Sequence, residues 1–223
     1  MGYSVAIDGP AGAGKSTIAK RIAAEMGFIY VDTGAMYRAM ALFLIRNGIG
    51  AQETERIESV CDKADITIDY RGGEQIVLLK GENVNGLIRT EEVGNMASAS
   101  SVNGRVREKL VELQRRLAAD KAVIMDGRDI GTCVLPGADV KIYLTADSRV
   151  RAKRRYDELR AGGQVCDLDR LEADIKERDD RDRNREISPL KQAEDAILID
   201  TSYMTIEEVA ERIMELIREN RGA

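Results

Sequence analysis

Residues 9–16, Gly-Pro-Ala-Gly-Ala-Gly-Lys-Ser, constrain this chain more than any other stretch. They fit the spacing G-x-x-x-x-G-K-[ST], and the flanking sequence gives that spacing a structural setting. Tyr-Ser-Val-Ala-Ile at 3–7 is a compact apolar run of the kind that forms a buried strand. From Lys15 to Met26, Ile18, Ile22, Ala23 and Met26 recur on one helical face. A strand that turns through glycines into a helix points successive backbone N–H groups into the turn, where a phosphate satisfies them. Gly9, Pro10, Ala11, Gly12, Ala13, Gly14, Lys15, Ser16 and Thr17 are therefore predicted to bind a nucleotide. Lys15 would reach the terminal phosphates and the Ser16 hydroxyl would face Mg²⁺. A chance glycine-rich turn would lack the strand before it and the helix after it.

The rest of the chain extends this beginning. Phe-Ile-Tyr-Val at 28–31 is a second strand candidate and 35–46 reads as a helix. Strand, turn, helix, strand is the opening of a parallel sheet. Residues 122–125, 140–144 and 196–199 add three more apolar runs, giving five strand candidates for an α/β fold. Helical periodicity covers 104–118, through Val106, Leu110, Leu113 and Leu117. The last helix opens on a capping box, Thr205 with Glu208, and carries Ile206, Val209, Ile213 and Leu216 along one side. Residues 64–70 and 75–80 alternate or cluster apolar residues between short turns, which reads as an inserted antiparallel meander. The stretch 148–186 is highly charged and predicted to be helical in two pieces, broken at Gly162-Gly163 and ended by Ser188-Pro189.

Composition removes several classes of function. The 223 residues include no histidine, so the commonest general base and the commonest transition-metal ligand are both missing. The net charge of −5 disfavours a general binder of nucleic acid or anionic membrane. No apolar run approaches the ~20 residues of a membrane span. Cys61, Cys133 and Cys166 are widely spaced and odd in number, as expected of reduced thiols. The N-terminal residues lack the pattern of a secretory signal, and Ala6 stands where a myristoylation signal has Ser or Thr. A cytoplasmic protein is the expectation.

Within nucleotide-binding proteins, a GTPase would need Asn-Lys-x-Asp to read guanine, and the sequence has none. A short chain with late arginines suits a small kinase, which must neutralise several phosphates. Asp126 closes the run 122–125, at the strand end where Mg²⁺ or its waters are held in such proteins; a strand-ending turn residue is the plain alternative. Asp8 ends the first strand in the same way and is a second candidate. In Lys-Glu-Arg-Asp-Asp-Arg-Asp-Arg-Asn-Arg-Glu, 176–186, ten of eleven residues are charged. On a helix, Arg178, Arg181, Asp182 and Arg185 share a face, while Glu177–Arg181 and Asp179–Arg183 are i,i+4 pairs. Spacing alone leaves open a solvated salt-bridged helix or a cationic clamp for an anion.

The P-loop, then Asp32-Thr-Gly-Ala-Met-Tyr-Arg38, then Asp126-Gly-Arg-Asp129, then Arg178-Asp-Asp-Arg-Asp-Arg-Asn-Arg185 together resemble the bacterial cytidylate kinases over nearly the full length. The resemblance implies a five-stranded parallel P-loop core (1–38, 96–148 and 187–223) and a monophosphate-binding region at 39–95 with a three-stranded insertion at about 64–86. It also implies a helical lid at 149–186. The implied reaction is phosphoryl transfer from ATP to CMP or dCMP with Mg²⁺, held by Ser16 and Asp126. The implied acceptor site is Thr33, Arg38, Ser98, Arg107, Arg128, Asp129, Arg178, Asp182 and Arg185. The implied catalytic cations are Lys15, Arg128, Arg178 and the lid residues Arg151 and Arg154, with Arg155 as an alternative to Arg154. Thr33 stands where some members have Ser, and Ser16 where some have Gly. No nucleic-acid or membrane partner is implied, and a monomer is expected.

This chemistry is physically coherent. A phosphate acceptor is already ionised, so no base has to remove a proton, and catalysis reduces to positioning and charge neutralisation. Two other readings remain at the level of sequence: a kinase for a different small acceptor, and a nucleotide-dependent RNA binder using the charged segment. The balance of acids and bases there, with aromatics at only 4%, speaks against the second.

Overall fold

The structure, a computed structural model, describes residues 2–222. Its parallel sheet has five strands in the order β2-β6-β1-β7-β8: β1 (Ser4–Asp8), β2 (Ile29–Asp32), β6 (Val123–Gly127), β7 (Val140–Thr145) and β8 (Ile197–Asp200). All five apolar runs singled out in the sequence are strands. A separate antiparallel sheet joins β3 (Ile66–Arg71), β4 (Glu74–Leu79) and β5 (Glu82–Asn83), where the meander was expected. By contacts the chain divides into two compact units, one formed mainly by 29–121 and the other by 3–28 with the chain from 122 onward.

The second unit is organised by β1, every residue of which is buried. It pairs in parallel with β6, from Ser4 opposite Val123 to Asp8 opposite Gly127, and with β7, from Val5 opposite Val140 to Asp8 opposite Tyr143. Both partners bring their C-terminal ends to the place where β1 ends. β1 then turns into α1 (Lys15–Met26), which packs on β6 and on the final helix α8 (Ile206–Gly222). α8 starts from the predicted capping box: the Glu208 carboxylate accepts from Thr205 N at 2.8 Å, and Thr205 Oγ1 accepts from Glu208 N at 3.2 Å. Its buried stripe is Val209, Ala210, Ile213, Met214 and Ile217. Ile206, assigned to that stripe by spacing, is instead 45% exposed, because it occupies the first turn beyond the packed surface.

The charged stretch forms α6 (Ser148–Ala161) and α7 (Leu168–Asn184), separated at the expected glycines. Two details differ from the helical-spacing argument. α7 ends at Asn184, so Arg185 has extended backbone (φ −65°, ψ 140°) and is not the fourth member of a helical stripe. Asp179 does not serve an i,i+4 pair with Arg183; it is buried and pairs with Arg151 of α6 at 2.6 Å.

The first unit is built on α2 (Thr33–Arg46). Nine of its residues are buried, including Met36, Met40 and Leu44 with no exposure. Burying each such side chain contributes about 1.5–3 kcal/mol. α2 packs on α4 (Glu91–Ser100), α5 (Gly104–Ala118), β3 and β4. A short α3 (Thr54–Val60) lies against α5. α5 matches the predicted span, and Val106 and Leu110 are fully buried.

Gly9 makes the turn out of β1 possible. Its φ is +145°, and a Cβ there would overlap the Leu144 carbonyl of β7. Gly9→Ala is therefore expected to destabilise the protein by more than about 2 kcal/mol in urea unfolding, through backbone strain and steric conflict together.

Candidate active site

The N-terminus of α1 is left open. Gly14 occupies the N-cap position in the left-handed region (φ 88°), no side chain caps the helix, and its first turn has no acidic residue. The unsatisfied N–H groups and the positive end of the helix dipole are thus available to an anionic ligand. Lys15 is buried in the same turn and its ammonium donates to the Pro10 carbonyl at 2.7 Å. Burial pushes the Lys15 ammonium well below its ordinary pKa; Arg128 and Arg178 push the same way, while Asp126 and Asp8 oppose them. A polyanion beside this ammonium would relieve that penalty.

Ser16 and Asp126 are in contact: Ser16 Oγ donates to Asp126 Oδ2 at 2.9 Å. The sheet register explains the meeting, since Ile7 pairs with Asp126 one residue before β1 ends. Asp8 has a different task from the one its position suggested. Its two carboxylate oxygens accept from Ile130 N at 2.8 Å and Gly131 N at 2.7 Å. Both oxygens are thereby committed to the π-helical turn Ile130–Val134, which follows Asp129 directly. Burial raises the Asp8 carboxyl to about 6, against the lowering effect of those two N–H groups.

Asp126-Gly-Arg-Asp129 meets the end of α7 in one charged cluster. Arg128 Nε donates to Asp182 at 2.9 Å, and Arg185 lies 3.6 Å from Asp129. Arg185 Nε also donates to the Ser188 carbonyl, which fixes the guanidinium although the residue lies beyond the helix. The Leu190 N–H returns to the Asp182 carbonyl at 2.8 Å. Burial pushes the Asp182 carboxyl up, but Arg128, Arg178 and Arg185 outweigh it, so the net shift is downward. Arg181 faces the other way, exposed and bonded to Glu177 at 2.8 Å. The charged segment is thus part scaffold and part charged cluster.

Arg151 and Arg154 of α6 brace the loops around the P-loop. Arg151 is 4% exposed and donates to the Ala146 carbonyl, to the Ala11 carbonyl of the P-loop at 3.0 Å, and to Asp179. Arg154 donates to the carbonyl and hydroxyl oxygens of Thr201. Thr201 in turn donates to the P-loop carbonyl of Ala13 at 3.3 Å. Arg155 instead pairs with Glu158 on the surface. Thr201 was not singled out in the sequence; a hydroxyl just past the C-terminal end of a strand was its one signal.

In the other unit, Thr33 is the buried first residue of α2, one turn before Arg38. A Cβ on Gly34 would stand 3.3 Å from the Arg38 guanidinium, so the glycine leaves room for that side chain over the first turn. Arg107 of α5 is buried, donates to the Ser101 carbonyl past the end of α4, and lies 5.7 Å over the Tyr37 ring of α2. Ser98 is on α4, where its carbonyl accepts from Ser101 Oγ at 2.8 Å. Three helices thus converge on Arg107. Tyr37 was missed because an aromatic on an apolar helix looks like ordinary core.

A phosphate-binding loop on a parallel sheet, with a Ser–Asp pair beside it and arginines beyond, defines a P-loop kinase. The fold agrees with solved kinases: a shikimate kinase from Bacteroides thetaiotaomicron (TM-score 0.50, 12% identity, 97% of this chain and 98% of that one) and a gluconokinase from Sinorhizobium meliloti (TM-score 0.50, 14% identity, 99% and 94%). At such low identity these share the fold alone. The family model described as cytidylate kinase matches residues 5–219. Cytidylate kinases from Caldicellulosiruptor saccharolyticus (52% identity, 96% of this chain and 94% of the relative) and Geobacillus sp. (47%, 98% and 97%) are similar over nearly their whole length. The chain belongs to the cytidylate kinase family.

Asp8 yields a prediction with a definite sign. Its folded-state pKa of about 6 lies above the ordinary 3.8, so the folded protein binds a proton more tightly than the unfolded one. Its contribution is most favourable below pH 4 and is lost as pH rises to 6 and beyond. Between pH 4 and 7, Asp8→Asn should gain on the parent by up to about 3 kcal/mol in unfolding free energy, whatever its offset at low pH. Chemical denaturation at stepped pH measures this; parallel curves would contradict it.

Proposed function

We propose that this protein transfers the γ-phosphoryl group of ATP to CMP or dCMP, giving ADP and CDP or dCDP, and that it acts as a cytoplasmic monomer. The observation that carries the reading is the open α1 N-terminus with buried Lys15 beside the Ser16–Asp126 pair, in the same unit as Arg128, Arg178, Asp182 and Arg185. Among the described residues, no helix is long and apolar enough to cross a membrane.

The P-loop residues Gly9–Thr17 would hold the ATP phosphates, with Lys15 on the terminal ones. The Ser16 hydroxyl and the Asp126 carboxylate are hard oxygen donors, the kind Mg²⁺ accepts while it keeps waters and phosphate oxygens. The ion would neutralise charge on the transferring phosphoryl group. Arg128 and Arg178 would bear on the reacting phosphates. Arg151 and Arg154, whose donors are engaged with backbone carbonyls, Asp179 and Thr201, would act by keeping P-loop and lid residues in place.

For the acceptor, we assign Thr33, Arg38, Ser98, Arg107, Arg128, Asp129, Arg178, Asp182 and Arg185. Arginine forks suit phosphate oxygens, and a carboxylate such as Asp182 suits ribose hydroxyls. The Asp129 carboxylate would accept from the exocyclic amine of cytosine, while Ser98 and Arg107 donate to its ring acceptors. Uracil would set a carbonyl against the carboxylate and an N–H against the donors. Unpaired polar groups in a buried site give strong rejection.

The direct test is ADP release with ATP and each of CMP, dCMP, UMP, AMP and GMP. Turnover should be confined largely to the cytidine nucleotides; turnover of AMP or GMP with none of CMP or dCMP would end the proposal. Lys15→Ala should lower kcat by about 10²-fold or more, the scale of losing one preorganised charge-stabilising donor. Asp129→Ala should cut the CMP-to-UMP ratio of kcat/KM at least tenfold, by order of magnitude, and leave the KM for ATP within about twofold.

A further inference from the structure

The inserted antiparallel sheet meets the end of β2 through one side chain. Gln75, near the start of β4, places its side-chain amide against the backbone of Asp32. Asp32 N donates to Gln75 Oε1 at 2.8 Å, and Gln75 Nε2 donates to the Asp32 carbonyl at 3.2 Å. This is the two-bond exchange that strand neighbours make in an antiparallel ladder, with a side-chain amide standing in for a peptide group. Asp32 ends β2 and is the N-cap of α2, where its Oδ1 accepts from Ala35 N at 2.9 Å. Its Oδ2 faces Arg89 at 3.3 Å. Three of these four contacts come from the segment 75–89.

A second amide repeats the device and holds the first. Asn85 Nδ2 donates to the Gln75 carbonyl at 2.8 Å, and Asn85 Oδ1 accepts from Val77 N at 2.9 Å. Gln75 is therefore fixed on both sides, by its ladder partner Tyr70 and by Asn85. β4 is anchored below it by Val77 and Leu79, which are buried. The hairpin tip at Gly72-Gly73, just before β4, is exposed, and beside it the Arg71–Asp69 pair faces solvent rather than Asp32. The contact chain thus runs from Asn85 through β4 and Gln75 to Asp32, and ends on the helix turn that begins with Thr33 and lies under Arg38.

We infer that the inserted sheet is a positioning device for the acceptor-binding start of α2, and that Gln75 is the positioning residue through which it acts. The inference rests on the reading of Thr33 and Arg38 as ligands of the nucleoside monophosphate. A helix start that presents a hydroxyl and a guanidinium to a phosphate needs a fixed backbone just before it, and β2 supplies only four residues. Two neutral hydrogen bonds at Asp32 hold that backbone, and losing them should weaken acceptor binding by roughly tenfold.

The test compares Gln75→Leu, which keeps bulk and removes both bonds, with Gln75→Glu, Asn85→Ala and the control Arg71→Ala. KM for CMP and for ATP, kcat, and CMP binding by calorimetry without ATP are measured on each. Gln75→Leu and Gln75→Glu should raise the KM and Kd for CMP about tenfold and leave kcat and the KM for ATP within about twofold. Asn85→Ala should give a smaller rise of the same kind, and Arg71→Ala none. If Gln75→Leu does not fold, Gln75→Glu and Asn85→Ala carry the comparison. Unchanged CMP binding in the folded variants, or equal losses for CMP and ATP, would overturn the inference while normal wild-type turnover of CMP left the functional reading intact. A wild-type protein inactive on CMP and dCMP would overturn both.

Discussion

The unit that contains the P-loop depends on keeping like charges buried close together. Lys15 is held at the Pro10 carbonyl, and burial together with Arg128 and Arg178 disfavours its charge. Such a cluster is unstable by itself, and the surrounding structure shows how it is tolerated. Asp182 accepts from Arg128, Asp129 faces Arg185, and Asp126 accepts from Ser16. Each carboxylate is thereby paired with a cationic or hydroxyl group in the free protein. Exchange of partners on binding is inexpensive, because an ion pair traded for another ion pair leaves few groups unpaired.

The arginines divide into those that can meet phosphate and those that hold the walls. Arg151 belongs to the second group. Its pair with Asp179 is buried on both sides, and such pairs add little net stability once desolvation is counted. What the pair provides is geometry: the same guanidinium contacts the P-loop at Ala11 and the Ala146 carbonyl after β7. Arg154 and Thr201 do the same at Ala13. α6 is thus tied to the phosphate-binding loop through hydrogen bonds to backbone, which suits a helix so rich in charge.

Much of this was legible in the sequence, for identifiable reasons. Short buried strands of a parallel sheet announce themselves as compact apolar runs, and all five did. The P-loop was legible because glycines, strand and helix occur in a fixed order. α4 was not marked in the sequence, since Glu-Glu-Val-Gly-Asn-Met-Ala-Ser-Ala-Ser offers few large apolar residues and derives its stability from packing on α2. The π-helical turn at 130–134 depends on Asp8, more than a hundred residues away, and local pattern cannot reveal it. Arg185 falls on the helix in a spacing argument because the stop signal, Ser188-Pro189, lies three residues further on; α7 ends at Asn184 instead, and Arg185 Nε donates to the carbonyl of Ser188, which has φ of 50°. The Gln75–Asp32 pairing was equally hidden, since a lone glutamine in a strand carries no signal of its partner.

The most direct measurement is a crystal structure with CMP and a non-hydrolysable ATP analogue bound. The account predicts Lys15 on the ATP phosphates, the CMP phosphate among the arginines at 128 and 178, Asp182 released from Arg128 toward the ribose, and the Asp129 carboxylate on the cytosine amine. Arg128 and Asp182 still paired to each other, with cytidine monophosphate bound away from both, would contradict it.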